Sequence, residues 1–246
     1  MVRLRLITTI LTGLPYAAVT IPKADYMIAH KDRYDEVTRY TLVRQICRKT
    51  KHLSWTVTKA YGTENLPAAG GYIMYSNHQG KYDALGIINC HPKTMSVLWG
   101  YDSAKWIIAK QVAGLMDAKI IHVTEHREQI KILNELAREV ANGKRYLIFP
   151  EGGYTKNRNN LQEFKSGCFM CSLKSKAPIV PVVIYDSWRS MDSNQAGIAR
   201  TQVHFLPPIG YEEYQDLNKK ELSDLVKNRI EAKLSQLRAE DPSYKG

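Results

Sequence analysis

Short strand-like runs that alternate with stretches of helical periodicity constrain this chain more than any other feature. Candidate strands lie at 55–61, 72–76, 96–99, 119–123, 146–149, 179–185 and 201–205. Several are apolar throughout rather than on alternate residues, which is the pattern of strands buried on both faces. Between them, 127–142 places Ile130, Leu133, Ala137 and Val140 on one helical face, with Gly143 as a stop signal. Helices are also expected from Asp32 to about Ser54, after Ala84, over 103–116 with Trp106 and Ile107 on its apolar face, and over 168–174. A last one is expected over 218–237, where Asn218 and Glu221 form a capping box. This alternation predicts an α/β fold: a mixed, substantially parallel sheet flanked by helices.

Two strand ends carry the residues able to do chemistry. After the run 72–76 comes Asn77-His78-Gln79-Gly80-Lys81-Tyr82-Asp83. Residues five apart on a regular helix diverge by about 140°, so His78 and Asp83 can meet only if the backbone turns between them. Gly80 is expected to permit that turn. A carboxylate on one imidazole nitrogen fixes the tautomer and frees the other nitrogen as a base. That is two thirds of a Ser-His-Asp triad, and the chain has no G-x-S-x-G elbow to supply a serine. The plain alternative is a capping Asp83 beside a half-exposed His78. After 146–149 the chain continues Pro150-Glu151-Gly152-Gly153.

Asn77-His78 with Asp83, followed by Phe149-Pro150-Glu151-Gly152, resembles the glycerolipid acyltransferase family, whose signatures are N-H-x-x-x-x-D and then F-P-E-G. Phe164-Lys165-Ser166-Gly167 and Pro178-Ile179-Val180-Pro181-Val182 are similar to two further family segments, so the resemblance spans roughly residues 60 to 205. It implies transfer of a fatty acyl group from a thioester, carried by coenzyme A or acyl carrier protein, to a lysolipid hydroxyl. Lysophosphatidic acid is the expected acceptor and phosphatidic acid the product. His78 is the implied general base, oriented by Asp83. Asn77, Glu151 and Gly152 are implied to hold the acceptor. The family's two phosphate arginines are absent by this alignment: Tyr154 and the His122-Val123 pair stand in their places. Lys119, Arg127, Lys156, Arg158 and Lys165 are the nearby cations that could substitute, with Lys156 and Lys165 preferred. The backbone N–H groups of Gln79-Gly80-Lys81 are candidate oxyanion donors. Ile73, Leu85, Ile88 and Leu98 are candidates for an acyl slot, although each fits core packing as well. No metal is called for, and a single Cys168-x-x-Cys171 pair is too little for structural zinc. Alternatives are another lysolipid or glycerol 3-phosphate as acceptor, or a catalytically idle lipid- or nucleic-acid-binding protein.

Charge bears on that choice. The chain carries +11, and residues 1–60 hold 11 Lys or Arg against 4 Asp or Glu. An anionic partner is implied, and with no nucleic-acid motif present an anionic membrane surface is the better fit. Arg3 and Arg5 precede a mostly apolar run over 6–19 that Gly13 and Pro15 are expected to break. That run is shorter than the ~20 residues of a span, so an interfacial segment or a helix packed on the core is expected. The division expected is 1–58 as a basic, amphipathic, membrane-facing helical segment and 59–246 as the acyltransferase domain. Four cysteines in 246 residues suit a reducing compartment, and the expected place is the cytoplasmic face of the membrane, peripheral or monotopic.

Overall fold

In the computed structural model, which describes residues 4–101, 108–122 and 126–241, two N-terminal helices lead into a seven-stranded sheet. The elements run α1 (Leu4–Ala29), α2 (Glu36–Leu53), β1 (Thr56–Tyr61), β2 (Tyr72–Ser76), α3 (Asp83–Cys90), β3 (Ser96–Gly100) and α4 (Ala109–Leu115). They continue as β4 (Lys119–Ile121), α5 (His126–Ala141), β5 (Arg145–Ile148), α6 (Met170–Ser175), β6 (Ile179–Tyr185), α7 (Trp188–Met191), β7 (Ala199–Phe205), α8 (Tyr211–Tyr214) and α9 (Lys219–Glu240). The α/β sandwich expected from the pattern is the fold observed. The expected Trp106 and Ile107 positions, Arg3 and Val123 lie outside the described residues.

Strand order is β1-β7-β6-β2-β5-β3-β4. Every pair is parallel except β6 with β7, so β7 and β1 run against the other five strands. Beside β2 the chain reverses its direction of travel: β5 lies on one flank and β6 on the other. In open α/β sheets the crevice beyond the carboxyl ends of strands at such a point is where ligands bind.

Alternation along the strands builds a core on each face. Met74, Leu147, Val180, Val182 and Ile184 join Ile87 and Ile88 of α3 on one side. Ile73, Tyr75, Ile148, Ile179 and Val183 join Leu136 of α5 and Val226, Ile230 and Leu234 of α9 on the other. Each fully buried aliphatic side chain is worth about 1.5–3 kcal/mol, so β2, β5 and β6 form the most strongly held part of the fold. Ile73 and Ile88 are 0% and 1% exposed and serve this packing, which removes them as lining for an acyl chain.

The N-terminal segment departs from expectation. Gly13 and Pro15 do not break it. One helix of 26 residues runs through both Pro15 and Pro22, about 39 Å at 1.5 Å per residue, and it is long and apolar enough to cross a membrane. Its polarity is inverted. Thr9, Ala17, Thr20 and Ala24 face the protein, while Leu11, Leu14 and Val19 are 55–72% exposed. Small residues let α1 lie close against its neighbours. Gly13 approaches Leu53 of α2, and a Cβ on Gly114 of α4 would sit 2.6 Å from Ile28. The expected boundary at 58/59 falls inside β1.

Candidate active site

His78 and Asp83 meet. The loop leaving β2 turns back on itself, and the His78 Nδ1–H donates to Asp83 Oδ2 at 2.5 Å. Asp83 is fully buried as the first residue of α3, where its charge lies at the positive end of that helix. The same oxygen accepts the N–H groups of Gln79 (2.5 Å) and Gly80 (2.9 Å). A carboxylate can only accept, so Nδ1 holds the proton and Nε2 is the basic nitrogen. Nε2 makes no hydrogen bond among the described residues. The ring lies face-on to Phe149 at 4.3 Å and edge-on to Tyr154 at 4.7 Å. Two aromatic walls therefore fix its orientation without occupying that nitrogen.

The turn is held by carboxylates from three directions. The His78 N–H donates to Glu151 Oε1 at 2.9 Å, and the Lys81 N–H donates to Asp192 Oδ2 at 2.7 Å. The N–H groups of Gln79, Gly80 and Lys81 are thus all engaged by the protein, and they are not the oxyanion donors expected. Gly80 also has a different job from the one expected. Its φ is not left-handed; a Cβ there would stand 2.3 Å from Asp192 Oδ2, so glycine is needed for close approach. Asp192 also accepts from the Lys81 ammonium at 2.8 Å. Burial presses that ammonium toward deprotonation, but the bond to Asp192 outweighs it and leaves the pKa above the ordinary lysine value.

Glu151 follows β5 through a turn closed by the Gly152 N–H on Phe149 carbonyl at 3.0 Å. Pro150 presets φ inside that turn, and Gly152 adopts φ +69°. The Glu151 side chain is buried, and burial pushes its pKa up to about 7 despite bonds from the Gln162 amide (2.5 Å) and the His78 N–H. Lys165 lies over Gly152: its ammonium is 2.7 Å from where a Gly152 Cβ would be, and its N–H donates to Pro150 carbonyl at 2.8 Å. Lys165 and Lys156 are exposed on this rim, and Arg127 is exposed in the first turn of α5, at the same end of the sheet.

Two expected site residues are placed elsewhere. Lys119 opens β4 at the amino end of the strands, opposite the site, and pairs with Glu139 at 2.6 Å. Asn77 is fully buried, and its amide donates to Ile184 carbonyl at 3.0 Å and accepts Ile184 N–H at 2.9 Å. It extends the β2–β6 ladder by one side chain, with both of its amide atoms engaged inside the protein.

A model of the acyltransferase family matches residues 57–185, just over half of the chain. The chain belongs to the acyltransferase family. Its relatives include a 1-acyl-sn-glycerol-3-phosphate acyltransferase alpha of Mus musculus, 26% identical over 207 residues that cover 79% of this chain and 69% of that one. A 1-acyl-sn-glycerol-3-phosphate acyltransferase of Escherichia coli is 28% identical over 174 residues, 68% of this chain and 69% of that one. The crystal structure of the 1-acyl-sn-glycerophosphate (LPA) acyltransferase PlsC from Thermotoga maritima is similar with a TM-score of 0.74 at 16% identity. That likeness covers 96% of this chain and 97% of the other, and it fixes the fold.

Sequence reasoning missed the support of this acyltransferase site. Gln79 is buried, donates to Asn159 Oδ1 (2.9 Å) and Ile184 carbonyl (3.0 Å), and accepts Ser187 N–H (2.9 Å). Asn159 passes the network to Asp186, and Asn157 donates to His78 carbonyl at 3.0 Å. Arg238 of α9 donates to Asn159 carbonyl at 3.0 Å. The long polar loop after Gly152 is therefore pinned at several points to the turn that carries His78. The only signal in the sequence was its density of Asn and Gln. Among the described residues no group of three or more His, Cys, Asp or Glu is arranged to hold a metal ion.

Proposed function

We propose that this acyltransferase moves a fatty acyl group from an acyl thioester to the free hydroxyl of lysophosphatidic acid, giving phosphatidic acid. The reading rests above all on His78 Nδ1 being committed to Asp83 at 2.5 Å, which leaves Nε2 basic. Nε2 takes the hydroxyl proton as the acceptor oxygen bonds to the thioester carbonyl carbon. The tetrahedral adduct collapses, the C–S bond breaks, and the thiolate leaves. A thiol pKa near ~8.5 makes it a good leaving group. The proton held by His78 then neutralises the departing thiolate. No enzyme nucleophile takes part, so both substrates bind together and transfer is direct.

The acceptor lies toward β5. Glu151 receives its glycerol portion, and Lys165, with Lys156 and Arg127 on the same rim, supplies charge for its phosphate. Charge on Glu151 is part-neutralised near pH 7 by its raised pKa, which lowers its repulsion of an anionic lipid. Membrane contact is made through the outward Leu11, Leu14 and Val19 of α1. Because the other face of α1 packs on α2 and α4, the helix lies at the interface as a monotopic anchor on the cytoplasmic face.

The test offers the purified protein lysophosphatidic acid, other lysolipids and glycerol 3-phosphate, each with coenzyme A and carrier-protein thioesters, and follows thiol release. Acceptor-dependent release fastest with lysophosphatidic acid is the expected result. A covalent acyl-enzyme, or faster release with a different acceptor, contradicts the proposal.

A further inference from the structure

One buried carboxylate at the catalytic turn belongs neither to the His78–Asp83 pair nor to the acceptor side. Asp192 follows α7 in the connection to β7, 111 residues along the chain from Lys81, and its side chain is 4% exposed. Its Oδ2 accepts the Lys81 N–H at 2.7 Å and stands where Gly80 leaves no room for a Cβ. From the other side Asp83 takes the N–H groups of Gln79 and Gly80. Three successive N–H groups are thus clamped between two carboxylates. A shift of Asp192 moves Gly80, whose N–H is one of the bonds that hold Asp83 Oδ2 against His78.

The second oxygen reaches the imidazole by another route. Asp192 Oδ1 accepts from the Lys81 ammonium at 2.8 Å, and that ammonium lies 5.7 Å from the centre of the Tyr154 ring. Tyr154 is the edge-on wall of His78. Burial first, and then the Asp192 charge, hold the Tyr154 hydroxyl above its ordinary pKa against the pull of the Lys81 ammonium. The phenol therefore stays neutral, and the Lys81 charge is spent on Asp192. Asp192 is itself held in place. Its N–H donates to Trp188 carbonyl at 3.0 Å, Ser187 N–H donates to Gln79 at 2.9 Å, and the Ser190 hydroxyl is hydrogen-bonded to that of Thr56 at 2.7 Å. The short helix α7 is thus a bracket between β1 and the turn.

We propose that Asp192 is a positioning residue for acyl transfer, a reading that rests on His78 as the base. Through the Lys81 N–H it fixes the turn, and through the Lys81 ammonium it holds Tyr154 against the imidazole. A buried ion pair is weak evidence for stability, because apolar side chains of similar volume often serve as well. Its desolvation is offset here by a fixed ring, since a misplacement of about 1 Å at a reacting group costs on the order of 10^2-fold in rate.

The test is Asp192→Asn in the full-length chain, which keeps the shape and an oxygen for the Lys81 N–H but withdraws the charge from the ammonium. With lysophosphatidic acid and an acyl thioester, kcat is expected to fall about tenfold or more while both KM values stay within about threefold. Carbethoxylation of His78 Nε2 by diethylpyrocarbonate, followed on the His78 peptide by mass spectrometry, is expected to run several-fold faster as the wall loosens. Tyr154→Ala gives a similar acceleration, and adding it to Asp192→Asn changes the rate by less than about twofold, because both act through one contact. If Asp192→Asn lowers Tm sharply, Lys81→Met/Asp192→Asn leaves no buried charge unpaired and carries the same expectations. A kcat within twofold of the wild type, a loss that falls on KM, or an unchanged carbethoxylation rate overturns the proposal. If the wild-type protein transfers an acyl group from no thioester, the function proposed above fails, and the carbethoxylation rates alone decide the role of Asp192.

Discussion

At the scale of single residues, the site is a set of N–H groups captured by buried carboxylates. Asn77 is the most isolated structural member. Asn77→Ala leaves the Ile184 N–H unpaired in a dry interior while its carbonyl keeps the bond from Gln79, so urea unfolding is expected to lose about 1–3 kcal/mol. Glu151 makes a pH prediction. Its folded pKa of about 7 lies above the ordinary 4.5, so the native state holds its proton over a window where the unfolded chain has released it. Stability from this group is full below pH 4.5 and is lost as pH rises toward 7, by about 3 kcal/mol in all. Glu151→Gln removes that titration. The wild type is expected to lose stability relative to the variant between pH 5 and pH 8, and parallel curves contradict the assignment. His78, Asp83 and Glu151 were legible because each stands just past a recognisable strand. Gln79, Asn159 and Asp192 were not, since the side chains and backbone they join lie 80 to 111 residues apart in the chain.

At the scale of elements, α1 carries the clearest consequence. Leu11 and Leu14 are 58% and 55% exposed on its outer face, and the lipid surface proposed above is what covers them. Leu11→Glu with Leu14→Glu is expected to cut sedimentation with anionic liposomes by tenfold or more, on the order of the transfer cost of two leucines, while Tm stays within a few degrees. Unaltered sedimentation contradicts an interfacial role. The unbroken 26-residue length of the helix escaped sequence reading because Pro15 and Gly13 are strong local stop signals, and packing against α2 and α4 overrides them. At the other end of the chain the local signal was sufficient. Asn218 accepts from the N–H groups of Lys220 and Glu221, and Glu221 answers with a bond from Asn218 N–H. Asn218→Ala is expected to cost about 1 kcal/mol in thermal or urea unfolding, and no change contradicts the capping geometry.

At the scale of the molecule, strand order does the positioning. β2 lies between β5 and β6, and the loops after these three strands supply His78, Glu151 and Asp186 to one crevice. The parallel centre was legible because strands buried on both faces read as unbroken apolar runs. The reversal of β7 and β1 was not, because nothing in the 186–198 connection announces the direction of return. That reversal leaves the open face of β1 and β7 beside α9. All of this geometry converges on the free nitrogen of one imidazole. The most direct test is the rate of thiol release by His78→Ala with acyl thioester and lysophosphatidic acid both saturating, beside the wild type. A fall of about 10^3-fold with the fold intact is the result predicted for a lost general base, and turnover within tenfold of the wild type contradicts it.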